Sequence, residues 1–298
     1  MKKHFKKLLL MALMAVMAVG LIACGTDKSD NESTKEEKTS VTITSLDASK
    51  NEIELEVPYN PKRIAILDLA SLDIIDELGV GDRVVGMAST SIDYLEKYSN
   101  DASIKNLGTI KEADLEAVME CEPDIIFIGG RLSKSYDALS EIAPVVYLAT
   151  DTNEGLVNSV SKNAKTIASI FGMEDKVDSL MSDFGARIDA IKKISSGKTA
   201  LVGMTTSGSF NLLGNDGRCS LIGVEAGFNN LTAAGSTSTH GNESSFETVV
   251  QQNPDYIFVM DRDSAISTAG AKTAKEIVEN ELVKTTDAYK NNHIIYLE

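Results

Sequence analysis

Residues 114–131, DLEAVMECEPDIIFIGGR, return 131 positions later as residues 245–262, SFETVVQQNPDYIFVMDR. Glu, Val, Pro, Asp, Ile, Phe and Arg coincide at seven of the eighteen positions. Each copy reads as a helix, a Pro-Asp break where the helix cannot continue, a short apolar run suited to a buried strand, and an arginine just past the strand's carboxyl end. Two lobes of related topology follow from this repeat.

Outward from the repeat, residues 63–67, 145–148, 199–202 and 294–297 are further strand-like runs rich in Ile and Val, separated by helical stretches. Short apolar strands alternating with helices predict sheets that are largely parallel and covered on both faces. Between the copies, Asp151 and Glu154 have the spacing of a capping box, and apolar residues follow at 156, 160, 164, 167 and 171 without an intervening Gly or Pro. A second helical pattern runs through Val177, Leu180, Phe184, Ile188 and Ile191. The expected fold is α/β, with two related lobes (41–150 and 174–298) whose central sheets are mostly parallel. A long rigid helix over 151–173 joins them, leaving a ligand cleft between the lobes.

The amino terminus reads as an address. Met1–Lys7 is basic, Leu8–Val19 is an apolar run of twelve, and Leu21-Ile22-Ala23-Cys24 completes a lipobox. The apolar run is shorter than the ~20 residues a bilayer span needs. Residues 1–23 are therefore expected to be removed, with diacylation of the Cys24 thiol anchoring the chain on the extracytoplasmic face of the cell membrane. Residues 25–40, GTDKSDNESTKEEKTS, hold no aliphatic or aromatic side chain and read as a disordered tether reaching on the order of 22 Å.

Charge then excludes one class of partner. The 298 residues carry 29 basic and 44 acidic side chains, and four lysines lie in the signal segment, leaving 25 basic residues against 44 acidic, a net charge of −19. Such a body repels polyphosphate, since nucleic-acid affinity rests on Lys and Arg displacing counterions. Three cysteines are too few for a disulfide framework, and Cys121 and Cys219 fall in different lobes, so no bridge between them is expected.

A lipobox, a polar tether, two related α/β lobes and a helical connector together resemble the iron-siderophore substrate-binding lipoproteins of ABC importers, in the class with a rigid interdomain helix. The stretches that carry the resemblance are PKRIAILDLASLDIIDELGV (61–80), EPDIIFIGGR (122–131), NLLGNDGRCSLI (211–222), STHG (238–241) and PDYIFVMDR (254–262). They are most similar to Gram-positive receptors for ferric catecholate siderophores. The resemblance implies a monomeric, non-enzymatic receptor with no resident cofactor. Its ligand is a ferric siderophore complex and its macromolecular partners are the ABC permease subunits.

The residues agree with such a ligand. Arginine is scarce, six residues against 23 lysines, yet Arg131 and Arg262 end equivalent strands, and ligands of α/β sheets lie at the carboxyl edge. Arg218 closes the Gly-rich loop Gly214-Asn215-Asp216-Gly217-Arg218 after the first strand of the second lobe. Guanidinium keeps its charge when partly desolvated and meets planar oxyanions with a fork of donors. In the family, arginines at these three places line the cleft, and a tripod of them matches an anionic tris-catecholate. The resemblance also makes His240 a ligand of iron, through imidazole, when a siderophore leaves coordination sites open. A partner tyrosine of the family lies beyond the strand that here ends at Glu298, so either the sequence is a fragment or the second lobe lacks a wall, and the role is not transferred to Tyr289 or Tyr296. His293 reads as structural. Glu116 and Glu247, matched by the repeat, are the expected docking pair for the two permease subunits.

Rival functions are weaker. Zinc or manganese receptors use several histidines, and beyond the signal segment only His240 and His293 are present. A receptor of the same fold for cobalamin or haem is the alternative. A secreted lipoprotein hydrolase is less favoured, because neither a Gly-x-Ser-x-Gly elbow nor a His-Glu-x-x-His motif occurs.

Overall fold

The computed structural model describes residues 38–297, apart from 152–153, 218, 233–237, 239 and 267–268. The lipobox, Cys24, the tether as far as residue 37 and Arg218 lie outside the described residues.

The chain opens with an antiparallel hairpin, β1 (Ser40–Leu46) and β2 (Glu52–Pro58), in which Ser40 faces Pro58. Ser40, the last residue of the segment read as tether, is therefore already paired. Ile43 and Val57 enter the first-lobe core while Glu52, Glu54 and Glu56 face out. Asp47 shapes the turn by accepting from the N–H groups of Ser49 and Asn51, both at 2.8 Å.

The first lobe is built on β3 (Ile64–Ile66), α1 (Leu69–Glu77), β4 (Val84–Met87), β5 (Lys105–Asn106), α2 (Leu115–Glu120), β6 (Ile125–Ile128) and β7 (Val145–Tyr147). Its sheet runs β5-β4-β3-β6-β7 and every pair is parallel. Period-two alternation sends Ile64, Ile66, Ile125 and Phe127 into one apolar layer and Ala65, Leu67, Ile126 and Ile128 into the other. A strand buried on both faces has no polar position, which is why the repeat's IIFI run is continuous.

Helices α3 (Leu156–Phe171) and α4 (Glu174–Ser195) follow and fold back on each other, with Lys165 and Asp178 paired at 2.7 Å across the hairpin. The segment 151–173 expected as the connector contains α3, whose Ala164, Ile167, Ala168 and Phe171 pack into the first-lobe core. The chain crosses on α4, about 33 Å long at helical rise. It starts with Val177 in that same core, and its last residue, Ser195, donates to the Ala226 carbonyl of the second lobe at 2.5 Å. Helix α3 begins later than the expected Asp151–Glu154 capping box would start it. Gly155, at φ 83°, precedes α3 without a side-chain cap, and Glu225 of the second lobe supplies the missing acceptor, its Oε1 taking the Val157 N–H at 3.2 Å.

The second lobe comprises β8 (Thr199–Thr206), β9 (Ser209–Leu212), α5 (Ser220–Gly223), β10 (Asn229–Asn230), β11 (Asn242–Glu243), α6 (Phe246–Gln252), β12 (Tyr256–Asp261), α7 (Arg262–Ala265) and β13 (Ile294–Leu297). Its sheet runs β11-β9-β8-β12-β13, with β10 also beside β8. The central trio β8-β12-β13 is parallel and corresponds to β3-β6-β7, while β9 and β11 add an antiparallel margin.

The repeat is exact in its local geometry. Asp114 caps α2 by accepting from Ala117 N, and Ser245 caps α6 by accepting from Thr248 N. The residue before each proline turns left-handed, Glu122 at φ 44° and Asn253 at φ 40°. Each Pro-Asp carboxylate then ties its strand to the central neighbour. Asp124 Oδ2 accepts from the N–H groups of Lys62 and Arg63 at 2.7 and 2.9 Å, and Asp255 Oδ2 accepts from Thr199 N and Oγ1 at 2.8 and 2.9 Å.

Candidate functional site

Parallel strands that share a direction deliver their following loops to one edge. In the first lobe β3 leads through Leu67 to Asp68, which caps α1 by accepting from Ser71 N at 2.9 Å and Ser71 Oγ at 2.8 Å. Beside it β6 runs into Gly129-Gly130-Arg131. Gly129 is required there, because a Cβ at that position would sit 2.6 Å from Asp68 Oδ1. The two glycines leave a hollow of about 270 Å³ at the sheet edge, walled by Asp68, Ser71, Thr150 and Asn163. Arg131 stands at this edge, exposed, and its guanidinium has no hydrogen-bond or ion-pair partner among the described residues.

The second lobe repeats the placement with different neighbours. β12 ends at Asp261, whose Oδ1 and Oδ2 accept from Ser264 N at 3.0 Å and Ala274 N at 2.7 Å. Burial works against the charged form of Asp261, but these donors outweigh it and hold the carboxyl below its ordinary range. The register pairs Thr205 with Asp261, which brings the next residues, Thr206 and Arg262, side by side. Arg262 Nη1 donates to Thr206 Oγ1 at 3.3 Å and lies 3.6 Å from Oδ1 of Asp263. Arg262 is half-buried, whereas the Asp263 side chain is only 5% exposed. Asp263 Oδ2 accepts from Ser207 N at 2.6 Å, in the β8–β9 turn. Neither Thr206 nor Asp263 was singled out in the sequence; the signal, an acid directly after Arg262, is too common to have found them.

His240 is exposed in the Ser238–Gly241 turn, and its carbonyl accepts from Asn211 Nδ2 on β9 at 2.9 Å. Glu116 and Glu247 are both exposed and both occupy the second position of their helices, α2 and α6. A helix that feeds a strand through a tight Pro-Asp turn begins where that strand finishes, so both glutamates belong to the same edge as the two arginines. His293 takes a packing role: its ring stacks on Tyr256 at 4.2 Å between centroids, and Nδ1 lies 3.0 Å from the Asp255 carbonyl. Tyr296 is engaged as well, donating to Glu279 Oε1 at 3.1 Å, with burial and the nearby carboxylate raising its pKa well above the ordinary value. Cys121 and Cys219 are not joined in a disulfide.

Residues 64–298 match the periplasmic binding protein family. The chain belongs to that family. Its sequence is 36% identical to the petrobactin-binding protein YclQ of Bacillus subtilis, over 98% of this chain and 91% of the relative. The crystal structure of YclQ superposes with a TM-score of 0.78, covering 87% of this chain and 89% of that one. The periplasmic catecholate-siderophore binding protein VctP of Vibrio cholerae superposes with a TM-score of 0.77 at 30% identity, covering 87% and 91%. A third relative, the putative ABC transporter substrate-binding lipoprotein YhfQ of Bacillus subtilis, is 26% identical over 98% of this chain and 91% of its own length. The fold is thus that of the two-lobed binding proteins, as the repeat predicts, and the relatives are named as binding proteins, two of them for siderophores.

Proposed function

We propose that this chain is an extracytoplasmic lipoprotein that binds an anionic ferric siderophore of the catecholate class and delivers it to an ABC importer. The observation that carries the reading is the pair Arg131 and Arg262, at matched strand ends on the ligand edge of a fold whose relatives are named for petrobactin and catecholate siderophores. A ferric tris-catecholate spreads negative charge over oxygens already shared with iron, and guanidinium donors meet such oxygens without having to displace the metal. Arg218 completes the set in this reading. The iron arrives as cargo, and the protein supplies no resident cofactor. His240 contributes imidazole only to a complex with open iron sites. Cys24 carries the lipid, Glu116 and Glu247 meet the permease subunits, and the receptor acts as a monomer.

The test is quenching of intrinsic tyrosine fluorescence, the chain having no Trp, by ferric complexes of catecholate, hydroxamate and citrate type, with haem and cobalamin alongside. Saturable quenching by the catecholate complex at the lowest concentration, with the ligand recovered chemically unchanged, supports the assignment. Preference for haem or cobalamin, or turnover of the ligand, overturns it.

A further inference from the structure

The two lobes carry their arginines differently. At the position after Arg131 the first lobe has Leu132, 1% exposed and packed in the apolar core. At the equivalent position after Arg262 the second lobe has Asp263, 4% exposed and charged. A carboxylate is buried only where its acceptors are used. Asp263 uses one oxygen on the Ser207 N–H at 2.6 Å. The other lies 3.5 Å from Thr206 Oγ1 and 3.6 Å from Arg262 Nη1. Ser207 and Gly208 form the β8–β9 turn, with φ of 51° and 79°, so Asp263 joins a tight turn, a strand end and one guanidinium nitrogen in a single cluster.

We propose that Asp263 is the positioning residue for Arg262, presetting one cleft arginine before ligand arrives while Arg131 is left to be ordered by the ligand. The second lobe is then the preformed half of the site. Among the described residues Nη1 alone is engaged, by Thr206 and Asp263, which leaves the Nε and Nη2 donors of the guanidinium for an oxyanion. Because Asp263 also serves a backbone N–H, its charge is shared rather than spent wholly on the arginine. Fixing a long side chain in advance removes an ordering cost from binding, worth about 2- to 10-fold in affinity.

The affinity part of this inference rests on the ferric-siderophore reading; the ordering part does not, and two measurements separate them. In the unliganded protein, ¹⁵Nε relaxation of the arginine side chains is expected to show Arg262 restrained and Arg131 mobile. Asp263→Asn, which still offers an oxygen to Ser207 N–H, is expected to make Arg262 as mobile as Arg131. Equal mobility of the two in the parent, or an unchanged Arg262 in the variant, overturns the proposal whatever the ligand is. With a synthetic ferric tris-catecholate as probe, Asp263→Asn is expected to weaken binding about 2- to 10-fold in the parent and to change nothing in an Arg262→Ala background. The same loss in both backgrounds means that Asp263 acts through the fold alone and defeats the idea. Should Asp263→Asn fail to fold, Thr206→Val removes the shared hydroxyl while keeping the carboxylate, and it must loosen Arg262 in the same relaxation experiment. A parent that binds no ferric catecholate sinks the ligand reading, with the relaxation result still deciding the role of Asp263.

Discussion

Asp255 holds Thr199 twice, its Oδ2 accepting from the backbone N–H at 2.8 Å and from the hydroxyl at 2.9 Å. This clasp starts the central strand of the second lobe, and Asp124 does the same work on Lys62 and Arg63 in the first. Thr199 N–H and hydroxyl, set against a smaller opposing effect of burial, hold the Asp255 carboxyl below its ordinary range. A carboxyl whose folded-state pKa is depressed adds stability above its unfolded pKa and loses it as pH falls through the folded one. Replacing Asp255 by Ala is therefore expected to cost about 1–2 kcal/mol at neutral pH, the scale of a strand-start N–H left without its partner. The half-exposed Lys198 contact at 3.6 Å adds little. Urea unfolding at pH 7 and near pH 3 checks it: the gap between parent and variant narrows in acid, and a gap independent of pH counts against the clasp.

The arginines proposed to meet the ligand are expected to dominate its affinity. Arg131→Ala, Arg218→Ala and Arg262→Ala are each expected to weaken ferric-catecholate binding by roughly 2–5 kcal/mol, as for truncation of one partner in a desolvated charge pair. Their effects on the unliganded fold differ. Arg131→Ala leaves the melting temperature alone, whereas Arg262→Ala lowers it, because Asp263 stays buried with one partner fewer. Titration calorimetry and thermal melts on the same samples decide both points.

His240→Ala is expected to change the charge-transfer band of a tetradentate ferric complex and to leave that of a hexadentate one untouched, since the latter has no position for imidazole. Equal changes in both spectra mean that His240 acts only on its turn.

Glu116→Ala together with Glu247→Ala is expected to leave ligand affinity in solution intact and to depress iron uptake by cells. Exposed rim charges act mainly on the rate of encounter. Normal transport by the double variant, or loss of ligand binding, removes the pair from the docking surface.

Cys24→Ala is expected to move the protein from the membrane fraction to the soluble one, because the thioether can form only on that thiol. Unchanged membrane retention would falsify lipid anchoring at this position.

The parts of the fold legible in the sequence are those set by short-range chemistry. Strands such as 125–128 and 294–297 were readable to the residue, since an apolar run of fixed length bounded by a Pro-Asp break or a polar turn leaves a single placement. Two hairpins carry local signals of their own. β1–β2 alternates Ile53, Leu55 and Val57 with glutamates, and β8–β9 turns on Ser207-Gly208, whose left-handed backbone suits a two-residue hairpin loop. The start of α3 depends on a residue far away in the chain. Asp151 and Glu154 had the right spacing, but the acceptor at the helix start is Glu225, 68 residues away in the chain.

By itself the sequence determined the duplication and the parallel α/β class, and it put Arg131 and Arg262 at the ends of matched strands, because repeat, periodicity and punctuation are properties of neighbouring residues. What surrounds those arginines was decided only by the tertiary structure. The β8–β12 register sets Thr206 beside Arg262 and Ser207 beside Asp263, each across 56 residues of chain, while the same position in the first lobe sinks Leu132 into the core and leaves Arg131 without a partner among the described residues. Sheet register is the sum of many side-chain contacts on both faces, so no local stretch encodes it, and two copies of one motif can thereby set the same charge among different neighbours.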